Sequence, residues 1–501
     1  MRIKQLYKYS KKKKGISLIT LIITIIVIII LAGAVIYAVN QNNPLSTANE
    51  AVFKENLSEY RSELNTYKTN KYLESSGTYD PSTLNVMGDA IKDVITSMKS
   101  EDLSKYAIQA GELVYIDTND LEKGWINDVI GTSIPTESVS IVNAPVLATG
   151  MTPIKWDASG NVVTTTLTDT SWYNYDNKQW ANAQTADGSM WVWIPRYEYK
   201  IPTPHTSDAQ TIDVKFITGA QTVADSGYIV HPAFTFGSTE LTGIWVAKFE
   251  ASGTTSAVDV KPGVTSLRSR TISDMFTASR NMEANSRYGW GTSGSGIDTH
   301  LMKNTEWGAV VYLTQSIYGK NNEVWINPNS NFLTGQAGTS VSSSSTTLTY
   351  SYNDTTYGVN ASTTGNLYGI YDMSGGAREY TAAYVNNGNS YLTTYGSSLV
   401  NAASKYKDVY TKGSNDDSAT NYLSAAIIKG DAVYEISSSY SGSTSWYSDY
   451  AYMPYSCAPF FGRGGYYSKG AGAGLFYFYY IYGCADFYGG FRPVLAAGVA
   501  L

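Results

Sequence analysis

A chain of 501 residues can bury a sizeable core and hold more than one folded unit. Only 16% of it is charged, and Gly, Ser, Thr, Asn and Tyr are abundant, which suits an extracellular protein of strands and turns better than a cytosolic enzyme. The seven basic residues before Gly15 have no acid among them, which takes the remainder of the chain from the overall −6 to −13 and argues against nucleic acid as a partner. Two cysteines, Cys457 and Cys484, cannot make a disulfide framework; one bridge between them and two free thiols are both open. The histidines His205, His231 and His300 are scattered and offer no metal-ligand spacing, so neither a metal nor another cofactor is expected.

In chain order, Lys11 to Lys14 run into an apolar stretch from Ile16 to about Val39. It is long enough to cross a bilayer as one helix, with the lysines holding the leader inside and everything after Asn40 outside. The alternative is an ordinary secretory signal peptide, with a shorter apolar region and a small-x-small cleavage site. After Pro44, apolar residues recur at Phe53, Leu57, Tyr60, Leu64 and Tyr67, alternately four and three apart, which predicts an amphipathic helix with a narrow seam. From Ser75 to Ile130 a helical pattern in "NVMGDAIKDVITSM" and a strand in "ELVYI" predict a small α/β unit. The expected organisation is a leader over 1–15, a transmembrane helix over 16–40, a stalk with the small unit over 41–140 and a head over 141–501.

Within the head, turn signals recur every dozen residues or so and tryptophans mark "SMWVWIPRYEYKI", "GIWVAKFEAS" and "KNTEWGAVVYL". Trp191, Trp193 and Pro195 alternate as a strand with one buried face would, and "KNTEWGAVVYLTQSIYG" reads as a helix capped by Asn304 or Thr305. The Ser- and Thr-rich run from Ala337 to Tyr357 reads as a surface loop. The segment Gly474 to Leu495, "GLFYFYYIYGCADFYGGFRPVL", carries Tyr or Phe at almost every other position without a regular alternation. A buried strand favours Val, Ile and Leu, because each buried tyrosine hydroxyl needs a partner, whereas a binding surface favours Tyr as a stiff, amphipathic contact.

Three resemblances sharpen this reading. Basic residues followed by Gly15, Ile16, Ser17, Leu18 and Ile19 resemble the start of type IV prepilins. That implies a cut by prepilin peptidase between Gly15 and Ile16, methylation of Ile16, and other pilins as partners. Thr20 stands where that family has a glutamate associated with assembly. "GNLYGIYDMSGGAREYTA" from Gly365, "RGG" from Arg463 and "GFRPV" from Gly490 together resemble the formylglycine-generating-enzyme family. The resemblance spans about Trp191 to Leu495 and implies a C-type-lectin-like domain with little regular structure and small antiparallel sheets. The oxidases of that family need two cysteines between RGG and GFR; here the interval holds Cys484 alone, without a basic neighbour in sequence, and Arg378 replaces a usual tryptophan. No enzyme activity is therefore expected, and Asp372 and Glu379 read as scaffold hydrogen-bonding groups.

The chain also resembles the variable proteins of diversity-generating retroelements, in which template adenines are randomised and Lys, Glu, Gln, Met and Trp are excluded from the variable codons. None of those five types occurs from Gly470 to Phe491, although they make up about a fifth of ordinary sequence. The resemblance implies a variable tail over 452–490 that binds ligand through Tyr452, Tyr455, Ser456, Cys457, Tyr466, Ser468, Tyr477, Tyr479, Tyr480, Ile481, Tyr482, Cys484, Asp486, Phe487 and Tyr488. Lys469 and Met453 cannot arise from such codons, and Phe476, Phe478 and Phe491 are expected in the core. Tyr477, Tyr479, Tyr480, Tyr482, Asp486 and Tyr488 are expected to be exchangeable without loss of fold. The fold class read from all this is α+β: a long transmembrane or pilin-like helix and stalk, then a C-type-lectin-like head. The expected protein is a single-pass membrane protein or pilus component at the bacterial cell surface, binding a protein or glycan on another cell, phage or host. The alternatives are a structural minor pilin or adhesin without diversification, and a formylglycine-generating-type enzyme.

Overall fold

The structure, a computed structural model, describes residues 44–498 apart from 75–78, 82–83, 110, 118–121, 123–124, 126–141, 168, 291–295 and 340–349. The chain divides into two compact units, Met1–Val139 and Ser140–Leu501. In the first, the helix Pro44–Glu74 buries Phe53, Leu57, Tyr60 and Leu64 of the predicted seam, and its fifth residue, Tyr67, is half-buried against the same core. These side chains join Ile91, Ile95, Met98, Tyr106 and Tyr115 in one small core. A three-stranded antiparallel sheet, Val86–Met87, Tyr106–Gln109 and Glu112–Tyr115, completes the unit. The stretch read as a second helix is a short strand followed by a 3-10 turn, Gly88–Asp93.

The expected architecture needs correction. The described residues form a mixed α/β fold built mostly of strands, and none of their helices is long and apolar enough to cross a membrane. The long helix Pro44–Glu74 carries Lys54, Glu55, Glu59, Arg61, Glu63, Lys68 and Lys71, each costly to place in hydrocarbon. A single-pass membrane protein or pilus component is accordingly not supported. The leader, the Gly15–Ile16 cut and the span over 16–40 lie outside the described residues.

The second unit is not a domain of small sheets either. Its principal sheet has seven antiparallel strands in the order Ile297–Leu301, Pro493–Ala497, Gly243–Ala247, Met190–Pro195, Asn182–Gln184, Thr152–Trp156 and Val162–Thr164. Met190–Pro195 lies inside this sheet with every residue buried, so both of its faces are covered, not one. Gly243 opposite Pro195 shows why: a Cβ there would sit 2.4 Å from the indole of Trp193. A second sheet orders Asp408–Thr411, Arg378–Asn386, Phe460–Gly464 and Gly474–Ile481, with Gly489–Phe491 pairing in parallel to Arg378–Asn386. The helix Asn304–Thr314 is buried along its whole length. Neither Asn304 nor Thr305 caps it: Lys303 occupies the cap position, its N–H donating to Glu306 at 2.8 Å, and the Thr305 N–H donates to Asp408 at 2.7 Å. Of the Ser- and Thr-rich run, Tyr350–Ser351 pairs with Gln336–Ala337, and 340–349 lies outside the described residues.

His231 makes this core sensitive to acid. It has no exposure, its Nδ1 accepts from the Ala233 N–H at 3.3 Å, and the rings of Tyr197, Tyr199, Phe234 and Tyr312 surround it. Burial disfavours the imidazolium and pushes the group from its ordinary 6.5 down to about 3. The unfolded chain takes up a proton that the native state refuses, so this contribution is present above pH 6.5 and is lost as pH falls towards 3. Between pH 7 and 5 the expected loss is about 2 kcal/mol. Urea midpoints at the two pH values check it: His231→Asn should lose less than wild type by that amount, and equal losses would refute the assignment.

Candidate functional site

The aromatic tail is a strand at its start and a loop at its end. Gly474–Ile481 pairs antiparallel with Phe460–Gly464, placing Tyr479 opposite Gly462 and Tyr480 opposite Phe461. On its other side Phe478 is hydrogen-bonded to the preceding segment, accepting from the Tyr452 N–H at 2.8 Å and donating to the Tyr450 carbonyl at 3.1 Å. Phe476, Phe478 and Phe491 are buried. So are Tyr477 and Ile481, which corrects their expected display, and Met453 has no exposure at all.

The reason lies across the sheet. Gly462 has no side chain, and the stem of Arg378 fills the space: a Cβ on Gly462 would meet Arg378 Cδ at 2.7 Å. The guanidinium then lies under the rings of Tyr466 and Tyr479, 5.8 and 5.9 Å from their centroids. Tyr477 stacks on Tyr479 with centroids 5.8 Å apart, and burial raises its phenol well above the ordinary range. Its hydroxyl faces the Arg378 guanidinium without a hydrogen bond of ordinary geometry, and Arg378 Nε is likewise buried without one.

Arg378 is neutralised from the tail itself. Asp486 Oδ2 accepts from Arg378 Nη2 at 2.5 Å, while Oδ1 accepts from the Tyr488 N–H at 3.0 Å and the Asp486 carbonyl accepts from Gly489 and Ser269. Asp486 therefore holds the loop and balances a buried cation, so it is not a freely exchangeable position.

The remaining tail residues form a surface. Tyr452, Tyr455, Tyr479 and Tyr480 are half-buried and contact one another: Tyr452 to Tyr479 at 5.0 Å, Tyr455 to Tyr480 at 4.8 Å, Tyr479 to Tyr480 at 4.4 Å. Ser456 and Cys457 are exposed on the tight turn after Tyr455. Tyr466 and Tyr488 stack at 4.6 Å, both half-buried, beside exposed Ser468. Tyr482 and Phe487 are the most open aromatics of the tail, 45% and 57% exposed. Tyr482 leans on Tyr391, and Phe487 on Phe332. Cys484 is half-buried and accepts through its carbonyl from the Tyr380 hydroxyl at 3.0 Å; Cys457 and Cys484 are separate free thiols.

Four contributors were not legible from the tail: Arg268, Phe332, Tyr391 and Arg378 come from distant segments brought in by the sheets. Lys469, set aside because of its codon, sits over the rings of Tyr466 and Tyr479 at 5.0 and 5.5 Å.

The three quoted motifs meet below this surface. Glu379 pairs in register with Arg463 of RGG and Gly490 of GFR. Arg492 donates to Glu379 at 2.6 and 3.1 Å, to the Ala247 carbonyl at 2.6 Å and to the Tyr371 carbonyl at 2.8 Å. Asp372 accepts from the Gly335 and Glu250 N–H groups. Burial, together with neighbouring Glu379 and Asp372, raises the Glu250 carboxyl well above the usual range. Two cavities lie away from the tail, one of 310 Å³ bordered by Trp156, Gln179 and Tyr368, the other of 250 Å³ between Lys303, Lys405 and Lys407. No family model matches this chain, and no curated protein matches it.

Proposed function

We propose that this protein is a non-catalytic ligand binder whose C-terminal tail supplies a tyrosine-rich contact surface, diversified by a retroelement. The observation that carries the reading is the cluster of Tyr452, Tyr455, Tyr479 and Tyr480, half-exposed rings in mutual contact, with Tyr452 and Tyr455 edge-on to Tyr480, on a strand and the segment hydrogen-bonded to it. Large rings held in one arrangement lose little entropy on binding and offer both an apolar face and a hydroxyl. Around them, Ser456, Cys457, Ser468, Tyr482 and Phe487 are open to solvent, so their exchange alters the surface without disturbing the core. Variation at Tyr477, Ile481 or Asp486 is constrained, the first two by burial and the third by Arg378.

The neighbouring DNA tests the diversification. The expected result is a near-copy of the codons for Tyr452 to Val494, differing only where the copy has adenine, beside a reverse transcriptase gene. A locus without such a copy rules diversification out and leaves an invariant binding surface.

A further inference from the structure

We infer that the partner meets this surface with carboxylates: an acidic segment of another protein. The inference rests on the binding reading above and adds the chemistry of the partner. Along the Phe487 end, the Arg268 guanidinium lies over the rings of Phe332 and Phe487 at 3.7 and 4.6 Å and donates to the Phe487 carbonyl. Arg270, two residues on, is exposed and donates to the Ser269 carbonyl at 3.5 Å. Lys469 lies over tyrosine rings with its ammonium otherwise unpaired.

None of these three cations makes an ion pair within 4 Å among the described residues, although the chain beyond Gly15 is strongly acidic and buried Glu250 acts on Arg268 from a distance. The tail's one carboxylate, Asp486, is already spent on Arg378. Past Tyr455, Asp416 accepts from Asn387 and Asn421. The surface between presents two guanidinium groups, one ammonium and tyrosine hydroxyls, while the exposed carboxylates in the flanking segments, Asp274 and Asp417, accept from Thr271 and Thr420 at their own helix starts. Carboxylates accept from all three kinds of group, and Arg pairs with them bidentately.

A polyanionic glycan would match the cations but not the rest. The acidic balance of the chain repels a dense polyanion at long range, and the packed rings between the cations call for apolar side chains alongside a few carboxylates. A peptide segment carries both.

The test pans a display library of short random peptides against the purified full-length chain. Enriched peptides should carry Asp or Glu beside aromatic or aliphatic residues. Their affinity should fall about tenfold in the Arg268→Gln/Arg270→Gln/Lys469→Gln variant, and similarly in about 1 M salt. Because Arg268 also packs on Phe332 and Phe487, the Arg270→Gln/Lys469→Gln pair, which touches only exposed or half-exposed side chains, should show a smaller loss in the same direction. Neutral or basic peptides, unchanged affinity in both charge variants, or capture of a sulfated glycan in place of peptides would overturn the acidic-partner inference. In each of those cases loss of binding in Tyr479→Ser/Tyr480→Ser still upholds the surface. Binding that survives the tyrosine changes, or no enrichment at all, overturns both.

Discussion

Phe478→Ala is expected to cost the C-terminal unit about 3–5 kcal/mol, whereas serine at Tyr480, Tyr482 and Phe487 together should cost less than that one change. Phe478 has no exposure and lies where Gly474–Ile481 is held on both sides, by Arg463 in one strand and by the Tyr450 and Tyr452 backbone in the other segment. Truncating its ring leaves a cavity that hydrogen-bonded backbone cannot close. Against a total stability of about 5–15 kcal/mol this is a large fraction, read as a lowered urea midpoint with an unchanged slope. Tyr482 and Phe487 have roughly half their surface in water already, so removing them returns little apolar area to solvent. Tyr477 separates burial from hydrogen bonding. Tyr477→Ser should resemble Phe478→Ala, but Tyr477→Phe keeps the ring and removes only a hydroxyl that faces Arg378, and should cost no more than about 1 kcal/mol. If Tyr477→Ser melts like wild type, the tail is not packed as described.

Arg492→Met is expected to have an effect of similar size through electrostatics. The guanidinium connects the seven-stranded sheet, through Ala247, to Tyr371 and to Glu379 of the second sheet. Removing it leaves the Glu379 carboxyl buried without its cation beside Glu250 and Asp372, a loss of about 3–5 kcal/mol near neutral pH. Burial raises Glu379 above the ordinary carboxyl range even with Arg492 opposing it, and without Arg492 the rise is greater. A group whose folded pKa is raised binds more protons in the native state, so stability falls as pH climbs from the unfolded value through the folded one. The deficit of Arg492→Met should therefore narrow at pH 5 and widen at pH 8. Glu379→Leu combined with Arg492→Met should recover part of the loss, because no unpaired charge remains. A deficit independent of pH would show that lost packing, not the stranded carboxylate, is the cause.

What the sequence determined by itself is local. Phe53, Leu57, Tyr60 and Leu64 recur at the pitch of a helix, so their common face is set by chain geometry, and the structure buries all four. The strand in "ELVYI" and the helix around Trp307 were legible from their own segments, although the cap at Lys303 was not, because Asp408, 103 residues away, takes the Thr305 N–H. The tail's composition marked where half-open tyrosines gather, since tyrosine is a poor choice for a strand buried on both faces. Composition could not say which tyrosines face solvent. Tyr477 and Tyr479 share one face of the strand and are chemically identical, yet one is enclosed and the other half-open. The difference comes from Gly462 and Arg378 on neighbouring strands, and from Asp486, which reaches Arg378 across 108 residues. Burial in a sheet is decided by cross-strand neighbours, and those neighbours are set by strand order, which no local period encodes.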